Sequence, residues 1–297
     1  MGPLLASDTT VCSQQEAFAY CKKLATTHYE NFTVGSVLIP KSKRQHIYNL
    51  YAYARSVDDL GDEAKGNRDD LLKKWEYELE LCYEGTPTHP AMIALKETIH
   101  EFQIPKEPFI KLIKANRIDQ TITRHTTFKE LLQYCEHSAN PCGQLFLYVF
   151  GYRDEERHRL ADATCTALQL TNFWQDVTRD YQMGRIYLPL EDMDQFNYTE
   201  EQLSLGLANN NFRSLMAFQI KRTREFFRRG LDLVDKVDGV ARLDIALFSR
   251  GGLAVLDAIE KRDYDVLSQR PHLTRLHKGH LFLSTWVAIK LGRRVRA

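Results

Sequence analysis

Apolar residues recur along most of the chain at spacings of three and four, as in helices with one buried side, while the two-residue alternation of half-buried strands is nearly absent. This period predicts helices over 41–63, 68–83, 90–101, 106–122, 127–150, 155–181, 209–236 and 241–262. The punctuation agrees. Ser13-Gln14-Gln15-Glu16 and Thr199-Glu200-Glu201-Gln202 are written as capping boxes, the first opening a helix through about Tyr29, and Pro40, Pro90 and Pro105 mark further starts. Linkers, low-complexity tracts and short repeats are missing from the pattern, so the expectation is one all-α helical bundle over 1–297. The segment "MGRIYLPLEDMDQF" after residue 181 is the most distinctive piece outside a helix.

One helix carries acids where its period calls for a buried side. In "YARSVDDLGDE", Tyr53 to Glu63, Asp58 and Asp62 lie four apart on one face, Arg55 precedes them on the same side and Asp59 flanks them. A carboxylate taken out of water needs a cation or hydrogen bonds, and this spacing suits Mg2+, which is usually shared between carboxylates and substrate phosphates. The competing reading is a solvated acidic face near a helix C-terminus, where the macrodipole disfavours anions. A second segment, "LQLTNFWQDVTRDY", places Gln169, Asn172, Asp176 and Asp180 in a polar stripe, with Leu168, Leu170, Phe173, Trp174 and Val177 on the other faces. Two such helices facing each other would hold Mg2+ between them, with a diphosphate completing the coordination.

The pairing of "YAYARSVDDLGDE" with "LQLTNFWQDVTRDYQMGRIYLP" resembles the squalene/phytoene synthase family, which joins or rearranges isoprenoid diphosphates head to head. The resemblance implies a single-domain isoprenoid synthase bundle with a central cavity between the helices at about 41–63 and 155–181. By matching position it makes Asp58, Asp59, Asp62, Asp176 and Asp180 the ligands of Mg2+, with Mn2+ as an alternative. It sets Gln169 and Asn172 in the second site, Arg55, Arg185 and Tyr187 near the diphosphate, and Tyr51 and Tyr134 in the cavity. Phe32, Phe146 and Phe173 are further candidates for stabilising a carbocation, with ordinary core packing as their competing role.

Three departures from the common family pattern point to a branch. "HYENF" (Tyr29, Glu30, Asn31, Phe32) stands where many members carry a serine-rich segment. "YCEHSANPCG" puts His137, Ser138 and Asn140 into an otherwise apolar lining, and Gln175 replaces an arginine before Asp176. These resemble the hydroxysqualene synthases of bacterial hopanoid and squalene pathways. Those enzymes open presqualene diphosphate with water, in company with a presqualene diphosphate synthase and a hydroxysqualene reductase. Glu30, Asn31, His137, Ser138 and Asn140 are then candidates to position the water. No glycine-rich dinucleotide fingerprint is present, and no NADPH is expected. Direct squalene synthesis from two farnesyl diphosphates is the alternative, with phytoene-type condensation behind it.

Composition narrows the rest. A net charge of +1 gives no reason to expect nucleic acid. Six cysteines without a CxxC pair, and an N-terminus without a signal-peptide pattern, point to a reduced, cytoplasmic protein. "LFLYVF" and "LFLSTWVAIKL" are too short to span a bilayer and read as buried or interfacial helix faces, while the basic "KLGRRVRA" reads as a solvated tail, with peripheral contact to anionic lipid at the inner membrane face as the alternative. The ExxH pairs Glu97/His100 and Glu155/His158 would suit a di-iron bundle, but the second lies in a dense charge run. A non-catalytic scaffold would be free to lose acids that are all kept here.

Overall fold

The computed structural model describes residues 12–27 and 39–292. Fourteen α-helices account for most of these residues, and the described residues contain no strand, only an isolated bridge between Arg124 and Ile186. The helices are α1 (Gln14–Thr27), α2 (Lys41–Asp62), α3 (Arg68–Glu84), α4 (Pro90–Phe102), α5 (Glu107–Ile118), α6 (Phe128–Ser138) and α7 (Asn140–Val149). They continue with α8 (Glu155–Gln175), α9 (Val177–Gln182), α10 (Leu190–Gln195), α11 (Glu200–Ser204), α12 (Asn210–Gly230), α13 (Gly239–Glu260) and α14 (Arg275–Lys290). Both expected capping boxes form: Ser13 and Glu16 bond reciprocally, and so do Thr199 and Gln202.

Two expected helices are interrupted. The span 127–150 breaks at Ala139 (φ −121°), because Pro141 has no N–H to give the preceding turn and its ring crowds that turn's carbonyl. The span 155–181 bends at Asp176 (φ −106°, ψ 16°). One bond reaches the bend from each side, Asp176 N donating to the Asn172 carbonyl and Asp180 N to that of Asp176, each at 2.9 Å.

The described residues fall into two compact units, one running up to Thr121 and including Gln144–Arg153, the other Ile122–Gly143 and everything from Asp154. In the first, α1 packs on α2 and α4, and α2 also meets α3 and α5. Its buried polar groups are answered locally. Asn49 donates to the Ala94 carbonyl (2.9 Å) and to Thr98 Oγ1 (3.0 Å), and Tyr53 donates to the Phe109 carbonyl at 3.0 Å.

In the second unit α8 and α12 are the principal pair. Gly230 lets them touch, since a Cβ there would come within 2.2 Å of Thr164 Oγ1, and buried Trp174 donates to Thr223 Oγ1 at 2.8 Å. Helix α13 lies alongside. Gly252 rests against Leu168 and Phe227, and Arg242 pairs with Asp235 in the 3-10 turn Leu231–Asp235, next to Lys236, which pairs with Glu156 at the start of α8. Helices α8 and α13 therefore begin at the same end of the unit.

Asp244 on α13 is 1% exposed, and neither carboxylate oxygen has a hydrogen-bond partner among the described residues. Burial pushes its pKa from 3.8 up to about 7. A carboxyl raised in the fold is protonated there while the unfolded chain has already ionised, so stability falls as pH rises from about 4 to about 7 and then stays low. Asp244→Asn removes that ionisation. Chemical denaturation should show the variant gaining on the parent as pH rises from 5 to 8, by about 3 kcal/mol at 1.36 kcal/mol per pKa unit; a pH-independent difference would refute the assignment.

Candidate active site

Helix α2 places Tyr51, Arg55, Asp58, Asp59 and Asp62 within three turns. Asp58 is reached by solvent yet crowded by neighbouring groups. Desolvation raises its pKa to about 6, the nearby Asp62 and Asp59 add to the rise, and a hydrogen bond from Asn116 Nδ2 (3.2 Å) opposes it. Asn116 gets that close because Gly61 has no side chain: a Cβ on Gly61 would sit 2.0 Å from Asn116 Oδ1. Gln120 secures the same contact by donating to the Gly61 carbonyl at 3.0 Å. A glycine inside a helix costs up to about 1 kcal/mol relative to alanine, and here it admits the one side-chain donor that reaches Asp58 among the described residues.

Arg55 departs from its expected alignment with Asp58 and Asp62. Its Nη2 lies 2.5 Å from Asp59 Oδ1 and 3.1 Å from Glu63 Oε1. Tyr51 is half-buried, and its phenol pKa is raised by that burial. The expected contributors Tyr29, Glu30, Asn31 and Phe32 lie outside the described residues. Phe146 is half-buried and lies against half-buried Phe150, with ring centroids 4.6 Å apart and planes at 32°.

In the other unit the second stripe starts with half-buried Gln169 and exposed Asn172 and reaches Asp176, which is 5% exposed. Asp176 is answered by Arg270: the guanidinium binds both carboxylate oxygens, Nη2 at 3.1 Å from Oδ2 and Nε on Oδ1. Gln175 holds Arg270 in place, accepting from Nη2 at 3.3 Å while its own amide donates to the Pro271 carbonyl. The residue that departs from the family pattern is thus part of the second stripe's own support. Asp180 follows one turn on, beside a small pocket lined by Phe173, Val177, Ile186, Tyr187, Leu188 and Leu203.

Three expected residues meet in one aromatic stack. Tyr187 lies on Phe173 with centroids 3.9 Å apart and planes within 14°, and Tyr134 is 5.8 Å from Tyr187. His125, which sequence reasoning passed over, closes the group 5.9 Å from Tyr187; burial lowers its pKa and favours a neutral ring. The distinctive loop is pinned here through its backbone: Ile186 N donates to the Thr123 carbonyl, Leu190 N to that of His125, and Arg185 N to that of Asp180 at 2.8 Å. At the α6–α7 break, Asn140 Oδ1 is taken by Thr166 (2.9 Å) and His137 Nδ1 by the Gln133 carbonyl (2.8 Å). Ser138 differs, since its Oγ is buried without a hydrogen-bond partner among the described residues.

All donors in the two stripes are oxygens suited to a hard divalent cation, and a carboxyl whose pKa is raised by desolvation beside other acids, as that of Asp58 is, gains from a nearby cation. Among the described residues no three His, Cys, Asp or Glu side chains form a ready metal cage. That is compatible with an ion shared between carboxylates and phosphate oxygens.

Residues 25–277 match the family model described as squalene/phytoene synthase. The crystal structure of a squalene synthase, HpnC, from Alicyclobacillus acidocaldarius is 41% identical and superposes with a TM-score of 0.82 over 85% of this chain and 96% of that one. A dehydrosqualene synthase solved with a ligand is 26% identical, with a TM-score of 0.86 over 94% of this chain and 98% of its own. Among curated proteins, the phytoene synthase of Arthrospira platensis is 33% identical over 279 residues, covering 89% of this chain and 90% of the relative.

Gly61→Ala should destabilise the protein by about 2 kcal/mol in chemical denaturation, because Asn116 has to move to admit a methyl group. Gly251→Ala, on α13 with nothing within 4 Å of the added carbon, should be neutral or stabilising. Equal effects at the two sites would remove the close approach as the reason for Gly61.

Proposed function

As this chain belongs to the squalene/phytoene synthase family, whose members are enzymes that process isoprenoid diphosphates, we propose that it ionises presqualene diphosphate and captures water to give hydroxysqualene. The observation that carries this reading is Ser138: a buried hydroxyl with no partner, in the "SANPCG" segment that departs from the common pattern. The 41% identity to HpnC supports the same branch. The names of the curated relatives favour a second reading, head-to-head condensation to a phytoene-type product.

Asp58, Asp59, Asp62, Asp176 and Asp180 would hold Mg2+, or Mn2+. When bound, such an ion supplies Lewis-acid neutralisation of the diphosphate as it leaves. The chain's own cations add to this: Arg185, and Arg270 held across Asp176 by Gln175, place positive charge beside the second stripe. The carbon–oxygen bond of the substrate breaks with its electron pair going to diphosphate, and the cyclopropylcarbinyl cation opens. The faces of Tyr134, Phe173 and Tyr187 stabilise positive charge without offering a strong nucleophile. Gln169 and Asn172 orient the diphosphate. Ser138 Oγ positions the water whose oxygen bonds to the cation, and the proton released goes to solvent. No reductant enters the balance, so no NADPH is needed.

With Mg2+ and presqualene diphosphate, mass spectrometry should detect hydroxysqualene and diphosphate at rates that do not depend on NADPH. Efficient turnover of farnesyl diphosphate alone would sink the assignment. Ser138→Ala should divert product from the alcohol towards elimination products, and an unchanged product ratio would remove Ser138 as the water-positioning group. Asp59→Ala, Asp176→Ala and Arg270→Ala are each expected to lower kcat/KM by about a hundredfold or more while keeping the helical circular dichroism spectrum; retained activity in the aspartate variants would remove the metal assignment.

A further inference from the structure

Helix α14 wears its apolar stripe on the outside. Leu283 and Val287 follow Leu276 by seven and eleven residues, so at 100° per residue the three point within about 40° of one another. Leu276 is 88% exposed, Leu283 57% and Val287 39%, and Trp286 beside them is 41% exposed. The opposite side is already satisfied. Thr285 is fully buried, and Arg250 of α13 donates to Thr285 Oγ1 at 2.7 Å and to Ser284 Oγ at 3.2 Å. The outward stripe is therefore not a core face left open by loose packing.

Its charge says what covers it. Helix α14 contains no Asp or Glu; its charged side chains are Arg275, Lys278 and Lys290, all exposed, and the sequence continues with Arg293, Arg294 and Arg296. Lys290 Nζ lies 5.9 Å from the Trp286 ring centroid, an aromatic and a cation side by side as at a headgroup boundary. A two-fold pairing of this face with a second copy would set cations against cations. None of the described helices is long and apolar enough to cross a membrane, so the helix would lie in the interface plane.

We propose that the outer face of α14 docks the enzyme on an anionic lipid bilayer, with Leu276, Leu283 and Trp286 entering the acyl boundary and Arg275 and Lys290 at the headgroups. The proposal is independent of which product the enzyme releases.

Flotation of the full chain with vesicles tests it. Binding should be at least about tenfold stronger to phosphatidylcholine containing about one third phosphatidylglycerol than to phosphatidylcholine alone, and should weaken in about 0.5 M NaCl. Leu283→Glu and Lys290→Glu should each reduce partitioning about tenfold without changing turnover of detergent-dispersed substrate. Trp75 and Trp174 are buried, so quenching by brominated lipid should report Trp286. Absence of flotation, equal binding by Leu283→Glu and the parent, or a parent dimer in light scattering that Leu283→Glu converts to monomer would each overturn the proposal.

Discussion

A carboxylate deprived of hydration must be answered, and the way this chain answers its desolvated acids organises everything near them. Asp58 receives a single amide, and only because the helix that bears it gives up a side chain at Gly61 to let Asn116 approach. Asp176 receives a whole guanidinium, held at its post by Gln175. The first arrangement leaves the acid under-compensated and its proton affinity raised; the second leaves a buried acid in a two-point ionic grip. One acidic helix is thus poised to gain from added positive charge, and the other brings its own. Asp244 makes the contrast sharper, since its carboxyl has no answer within the described residues and holds its proton well above the ordinary carboxyl range.

Around the second acidic stripe, backbone does what side chains alone would do poorly. The Tyr134, Phe173 and Tyr187 rings come from a helix, another helix and a loop, and they keep a stacked geometry because the loop is tied to residues 123–126 by main-chain bonds. Fixing that loop removes conformational freedom that a binding event would otherwise have to remove. The rings are then held in place before any ligand arrives.

Much of this was legible beforehand, for physical reasons that can be named. Helical periodicity and caps depend on neighbours three and four residues away, so the helices and both capping boxes could be read from local pattern. The acidic stripes were legible because carboxylates inside an apolar period are costly unless used. Asn116 was not, since it is a lone polar residue whose importance comes from a partner 58 positions earlier in the chain. The signal that existed was Gly61, a helix-interior glycine that announces a close approach without naming the visitor. Arg270 and His125 sit in segments with no periodicity to mark a face. The outward stripe of α14 was half-read: composition showed an apolar helix, but only the fold shows which side Arg250 occupies.

The grip on Asp176 closes over 94 residues, from the end of α8 to a segment lying beyond α13. A chain emerging from the ribosome therefore exposes its acidic stripe long before it makes the arginine that balances it, and contacts of such sequence separation form late and slowly. Until Arg270 arrives, Asp176 has to stay hydrated, which keeps the C-terminal end of α8 open to water while its N-terminal turns are free to pack. Completion of the site is in this way coupled to completion of synthesis, and a fragment ending before Arg270 would retain the acidic signature while lacking the means to bury it.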